Sequence, residues 1–267
     1  MNFFQLLRNF FLTKRYLYLL PRKLRLQIFN LKKLKLYKTS TGNYYLPQFA
    51  FKDLIRNEII DNKIFDKKVF EIAKNYIEEN SIVLDVGSNF GQMSVLFSKL
   101  GKNIEVYSFE ASKYLFEILT KNTEINDANV KLFNNLVGNI SSSNFKIKKA
   151  NLSKFNTYGS NKIEIIKTGD LKDNFEIENV KSIKIDDVIF DKKISFMKVD
   201  VQGFDLEVLK GAKNTILKEK MPIIFEYEKD FEKDFGYKFK DFEKFIFEIN
   251  YKIKSKIDNS NFLIVSN

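Results

Sequence analysis

Ile82-Val83-Leu84-Asp85-Val86-Gly87-Ser88-Asn89-Phe90-Gly91 is the stretch on which the fold turns. Four of its first five residues are apolar, a run too short for a helix and suited to a strand buried on both faces. Gly87 and Gly91 then allow a sharp turn and let a ligand come close to the backbone. Met93, Leu96, Phe97 and Leu100 recur at helical spacing, and Gly101 closes the stripe. Strand, glycine turn and helix in that order open a β-α-β unit whose helix presents free N–H groups to the turn.

The same alternation extends outward on both sides. Upstream, Asp66 is placed to cap a helix carrying Val69, Ile72, Ala73, Tyr76 and Ile77, with Asn80 as its stop. Downstream, Ile104 to Phe109 predicts a second strand, Ser112 the cap of a helix with Leu115, Ile118 and Leu119, and Val130 to Val137 a third strand. The pattern lapses between Gly138 and Val180, where Ser, Asn, Lys and Gly accumulate; residues 138–183 read as an insertion of hairpins or loops. It resumes with a strand at Ile194 to Val199 and a helical face of Leu206, Leu209, Ala212 and Ile216. A strand at Pro222 to Tyr227, a helix around Phe239 to Ile249 and two short terminal strands follow. The prediction is one α/β domain over residues 51–267, a mostly parallel sheet with helices on both faces, preceded by an arm over residues 1–50.

Composition removes several chemistries. The 267 residues include no Cys, His or Trp, so disulfides, thiolate zinc sites, cysteine nucleophiles and imidazole bases are all excluded. Proton transfer falls to carboxylates, Lys, Tyr or water. The net charge is +11, yet residues 1–38 carry ten basic and no acidic residues, so the remaining 229 stand at +1. The basicity belongs to the arm, which is also rich in Phe and Leu. Arg8, Lys14 and Arg15 interrupt its apolar runs before they reach spanning length, and it lacks the form of a signal peptide. Two readings are open: the arm lies on an anionic membrane surface, or it packs its apolar face on the body. The expected location is cytoplasmic, with the first reading adding peripheral attachment to the cytoplasmic face of a membrane. Nucleic acid is not the favoured partner, because no compact reading motif accompanies the charge.

In open α/β sheets ligands bind beyond the carboxyl ends of the strands. There the chain carries Asp85, Gly87, Ser88, Asn89 and Gly91 after the first strand and Glu110 after the second, where a carboxylate can accept both hydroxyls of a ribose. A nicotinamide fingerprint would share the acid but needs G-x-G-x-x-G, and position 89 is Asn. Asp85 also repels a pyrophosphate and suits a molecule with an ammonium and a sulfonium. These features favour S-adenosylmethionine over a dinucleotide. Asp200 and Glu226 end the fourth and fifth strands, at the substrate end of the cleft. Carboxylates there can take a proton, hydrogen-bond a polar substrate or share a hard cation such as magnesium; no dedicated metal site is expected. Structural roles are open for their neighbours: Asp205 as a helix cap, Lys198 as a solvated or paired strand residue, Gly211 as a point of close helix packing.

Taken together the chain resembles the FkbM-type methyltransferases. The resemblance rests on VLDVGSNFG at 83–91, SFEAS at 108–112, IKIDDVI at 183–189 and FMKVDVQGFDLEVLKGA at 196–212, with a proline-led strand ending in an acid at 222–226. GNYYLP at 42–47 resembles the lead-in upstream of such blocks. The resemblance implies a Rossmann-like fold with a seven-stranded sheet whose last strand is antiparallel. It also implies S-adenosylmethionine as donor and O-methylation, often of sugars in glycans, glycolipids or secondary metabolites. Gln202 stands where the family commonly has Glu, and Asp205 where Glu is frequent, which weakens any mechanism needing a carboxylate pair beside Asp200. The expected base is Asp200, desolvated by bound acceptor and the insertion, with Glu226 as positioner or second-choice base. The rival classes are an RNA methyltransferase, a nicotinamide oxidoreductase of similar fold, and a non-catalytic membrane-associated scaffold.

Overall fold

The computed structural model describes residues 33–48, 50–51, 53–150 and 175–267. Residues 1–32 of the basic arm, on which the membrane-surface reading falls, lie outside them, and no helix among the described residues is long and apolar enough to cross a membrane.

The chain begins with a hairpin, β1 (Leu34–Thr39) and β2 (Gly42–Pro47). Two short helices, α1 (Leu54–Ile60) and α2 (Lys67–Ala73), lead into the repeating part: β3 (Ile82–Val86), α3 (Gln92–Ser98), β4 (Glu105–Phe109), α4 (Lys113–Ile125) and β5 (Val130–Phe133). After the insertion come β9 (Ile194–Val199), α5 (Asp205–Gly211), α6 (Lys213–Glu219) and β10 (Ile223–Glu226). The chain ends with α7 (Glu232–Phe235), α8 (Phe239–Glu248), β11 (Tyr251–Lys256) and β12 (Asn261–Ser266).

Seven strands form one sheet in the order β11-β12-β10-β9-β3-β4-β5. β12, the last in the chain, pairs antiparallel with both its neighbours, and β10, β9, β3, β4 and β5 run parallel. This is the Rossmann-like arrangement of class I methyltransferases. Its strands read as unbroken apolar runs because both faces are covered. Leu84, Met197 and Phe225 point to a core closed by Leu206 and Leu209 of α5 and Phe242 and Phe245 of α8. Val83, Phe196 and Ile224 point to the other, closed by Val69 and Phe70 of α2 and Phe97 of α3.

Several element expectations change. The helix after Asp66 ends at Ala73, short of Asn80, because the next bonds tighten to i→i+3, Asn75 N to Ile72 O and Tyr76 N to Ala73 O. Asp66 itself has a left-handed backbone, φ 52°, and its side chain caps nothing. Ser112 precedes α4 without a side-chain cap bond. The third strand divides at Asn134 and Asn135 into β5 and β6 (Leu136–Val137). The helical face at 206–216 divides at Ala212, where Asp186 reaches over to accept from the backbone N–H groups of Asn214 and Thr215. Part of the family-like IKIDDVI block therefore serves as a helix cap.

The described part of the insertion supplies β7 at Asn144–Ala150 and β8 at Phe175–Ile183, which join β6 in a three-stranded sheet of order β6-β8-β7. Leu136, Ile147 and Val180 pack there on Phe204 at the head of α5. Gly211 lies so close that a Cβ would sit 2.0 Å from the carbonyl oxygen of Gly138, a packing contact with the loop after β6.

Candidate functional site

The turn after β3 is shaped by what presses on it. Gly87 has φ +85°, and a Cβ there would lie 1.8 Å from the carbonyl oxygen of Asp200, so two strand-end turns meet backbone to backbone. Asn89 follows in the left-handed region at φ 50°, and Gly91 at φ +85° faces Leu119 of α4, whose Cδ1 would be 2.5 Å from an added Cβ. The Ser88 hydroxyl donates to Asp85 O at 2.7 Å, which ties the turn to its own strand.

Glu110, one residue beyond β4, closes the far side of that turn. Its Oε2 accepts from Asn89 N at 3.0 Å and its Oε1 from Ser112 N at 2.9 Å. Burial pushes its carboxyl up to about 7, against these two bonds, which favour the ionised form. Asn134 braces the same corner by donating to Glu110 O at 2.8 Å.

At the centre lies a polar line inside an apolar sheet. Parallel register sets Asp85 of β3 opposite Ser108 of β4 on one side and Lys198 of β9 on the other. Ser108 donates to Ser94 at 2.8 Å, and Ser94 donates to Asp85 Oδ2 at 2.5 Å. Lys198 Nζ lies 3.8 Å from Asp85 Oδ1 and 3.2 Å from Asp200 Oδ2. Lys198 is therefore buried and doubly paired. Burial works against its charge but is outweighed by Asp200, Asp85 and Asp66, which raise its pKa.

The third group ends β9 and β10. Glu226 lies within 3.5 Å of the Gln202 amide, and Gln202 takes a left-handed backbone at φ 54°. The position expected to lose a charge thus carries an amide directed at the second acid. Burial, then Asp200, Asp205 and Glu228, raise the Glu226 pKa far above the usual carboxylate range. Asp205 is fully buried and is the first residue of α5. It accepts from Gly203 N and Glu226 N, both at 3.2 Å, and so braces the two strand ends where a helix cap was expected. Burial and the charge of Asp200 push it up to about 7.

These groups line one cavity of about 630 Å³. Asp85, Gly87, Ser88, Asn89, Glu110, Asp200 and Glu226 all border it; Gly91 shapes the turn from behind. Sequence reasoning missed Asp66 and Lys198 as members. Asp66 was legible only as a cap, and burial followed by the charge of Asp200 pushes it up to about 6. Lys198 had a visible signal, a cation inside the apolar run Ile194–Val199. Ile147 brings the insertion to the cavity wall, and Asp258 to Asn261 bring the turn between β11 and β12.

Two buried oxygens, Asp85 Oδ1 and Asn89 Oδ1, have no hydrogen-bond partner. Unmet acceptors beside a glycine turn fit a ligand bearing N–H or O–H donors, such as the ammonium and ribose of S-adenosylmethionine. Among the described residues no cluster of three or more acids has the geometry to hold a metal ion.

AglP, a hexuronic acid methyltransferase of Haloferax volcanii, is 29% identical over 143 residues, 52% of this chain and 53% of its own length. The match thus spans about half the length of that curated relative. Methyltransferase FkbM from Methylobacillus flagellatus superposes with a TM-score of 0.46 at 17% identity, over 70% of this chain and 44% of the other. A tRNA (uracil-54, C5)-methyltransferase of Pyrococcus abyssi, in complex with S-adenosyl-L-homocysteine, gives 0.44 at 12% identity, over 87% and 43%. The fold is established by the sheet order itself. The family model described as the methyltransferase FkbM domain matches residues 85–253, well over half of the chain and including Asp85, Glu110, Asp200 and Glu226, and this chain belongs to that family.

Proposed function

We propose that this chain is an S-adenosylmethionine-dependent O-methyltransferase whose acceptor is a sugar hydroxyl in a glycan, glycolipid or related metabolite. The observation that carries the reading is one cavity that Asp85, Gly87, Ser88, Asn89, Glu110, Asp200 and Glu226 all border. The name of the curated relative, a hexuronic acid methyltransferase, supports a sugar acceptor.

When bound, S-adenosylmethionine supplies a methyl group activated by a sulfonium. Asp85 Oδ1 would accept from its ammonium and Glu110 from its ribose, and Gly87 would let the backbone come close. Transfer is an in-line displacement, so placing the acceptor oxygen about 3–3.5 Å from the methyl carbon supplies much of the rate. That oxygen's proton becomes far more acidic as its new bond to carbon forms. A carboxylate is then a sufficient base, provided it stands in place when the proton leaves. Asp200 is that base; Lys198 holds its carboxylate at 3.2 Å. Glu226, whose proton affinity is raised by burial and then by the charge of Asp200, is the second acid at that edge and orients the acceptor.

Calorimetric titration with S-adenosylhomocysteine, with NAD as control, tests the donor site. Micromolar or tighter binding of the first and none of the second is expected; the reverse makes the chain an oxidoreductase. Transfer of labelled methyl to a panel of glycosides tests the acceptor. Asp200→Asn should lower turnover about 10²–10⁴-fold while leaving S-adenosylhomocysteine affinity near that of the parent. Loss of that affinity would reassign Asp200 to the donor.

A further inference from the structure

A second cavity, also of about 630 Å³, adjoins the first. The two share Glu228, Asn259 and Ser260 as walls. Three elements build the second one: the chain just after β10, the start of α8 and the turn between β11 and β12, with Tyr227 N donating to Ser260 O at 2.8 Å across them. Among the described residues, Asp85, Gly87, Ser88, Asn89 and Glu110 border the first cavity and not the second. The second therefore opens from the edge where Glu226 is followed directly by Tyr227 and Glu228, which is the acceptor edge, and stands away from the glycine turn.

The walls of this second cavity combine rings with a mixed polar rim. Tyr227, Phe239 and Phe262 form a continuous run, with 5.0 Å between the first two ring centroids and 4.8 Å between the last two, and Tyr227 and Phe239 are only half-buried. Around the rings stand exposed donors, Lys229 and Lys256, exposed acceptors, Glu228 and Asp230, and Asn259, which is both. A pyranose carries C–H groups on its faces and hydroxyls round its edge, so it packs on such rings and hydrogen-bonds such a rim at once. An acyl chain would suit the rings but take water from the charged groups without replacing it. Size points the same way. One drug-sized ligand fills a cavity of about 300–1,000 Å³, so the methyl donor and the ring to be methylated take up the first cavity and leave further rings to the second. We propose that the acceptor is an oligosaccharide of at least two rings, with the ring to be methylated at Asp200 and Glu226 and its neighbour in the second cavity against Tyr227 and Phe239. This deepens the methyltransferase reading and rests on it.

The test uses the full chain saturated with S-adenosylhomocysteine and titrated with methyl mannoside and mannobiose, and with the matching gluco and galacto pairs. In at least one pair the disaccharide should bind at least about tenfold more tightly than the methyl glycoside. Phe239→Ala should bring that ratio to within about twofold of one, whereas Phe239→Tyr, which keeps a ring, should preserve it. In chain labelled at tyrosine, the ring signals of Tyr227, identified with Tyr227→Phe, should shift with the disaccharide and not with the methyl glycoside, a readout that does not depend on the alanine variant folding. Equal affinities within every pair that binds, or a Tyr227 signal unmoved by the disaccharide, overturn the proposal and leave the sugar reading standing. Binding of no saccharide overturns it together with the sugar acceptor beneath it, and failure of S-adenosylhomocysteine to bind removes the donor site, so the three failures are told apart.

Discussion

Asp85 and Lys198 stand opposite each other on adjacent parallel strands, with 3.8 Å between Oδ1 and Nζ and both side chains out of solvent. An ion pair at such a place contributes little net stability, because desolvation of the two charges offsets their attraction. Its use is positional: Lys198 reaches Asp200 as well, so one cation joins the glycine-turn strand to the carboxylate proposed as base.

Removing that cation strands two acids. Lys198→Met should lower unfolding free energy by about 3–5 kcal/mol, the cost of leaving a buried charge uncompensated. Adding Asp85→Asn should recover part of the loss. Urea unfolding of the parent, the single and the double variant measures both, and a single variant as stable as the parent would contradict the pairing.

Gly87 has no room for a methyl group and sits at φ +85°. Gly87→Ala should cost about 1–3 kcal/mol from backbone strain and displace the turn from Asp200. S-adenosylhomocysteine affinity should fall by about tenfold or more, equivalent to about 1.4 kcal/mol. Calorimetry on protein shown to be folded by circular dichroism decides it; unchanged affinity would mean that the turn does not hold the donor.

The buried acids impose a pH dependence of unusual sign. Glu110 and Asp205 are pushed up to about 7 and Asp66 to about 6, mainly by burial, and their unfolded values lie near 4. Between those limits the folded chain holds more protons than the unfolded one, so stability is greatest on the acid side and falls as pH rises through the folded values. The Asp258 pKa is lowered, since its hydrogen bonds outweigh burial, and it acts in the opposite sense only in acid. The urea midpoint of the ligand-free protein should therefore be lower at pH 7.5 than at pH 5, and Glu110→Gln should flatten the difference. A midpoint that rises over that interval would refute the assignment.

The hairpin is joined to the domain by two buried side chains, Asn122 of α4 and Asn126 just beyond its end. Asn122 accepts from Tyr45 N at 2.6 Å and donates to Phe90 O at 2.8 Å, while Asn126 accepts from Asn43 N at 2.9 Å. Asn122→Ala leaves a buried backbone N–H and two carbonyls without that partner, a loss of about 1–3 kcal/mol. Hydrogen exchange should show the Tyr45 amide losing protection before the amides of β3 do.

What was legible in the sequence follows from one physical rule. Parallel strands bring their carboxyl ends to a common edge, so Asp85, Glu110, Asp200 and Glu226, each at or just beyond the end of an apolar run, were bound to meet once the strands were recognised. Hydrophobic period and glycine turns suffice for that recognition because they are local. The sequence by itself therefore determined the α/β class, the strand ends and the acids they carry.

The tertiary structure decided the rest, because the deciding contacts are distant along the chain. Inter-strand register set Lys198 against Asp85, 113 positions earlier, and decided that this strand lysine is paired and buried rather than solvated. A left-handed backbone at Asp66 released its carboxylate from helix capping and left it facing the cleft. Docking across 77 positions let Asn122 hold Tyr45, so that GNYYLP packs on α4 beside the glycine turn. No local periodicity encodes such pairings: each depends on which surfaces meet when the core closes, and an isolated polar residue shows its partner only once both have been taken out of water.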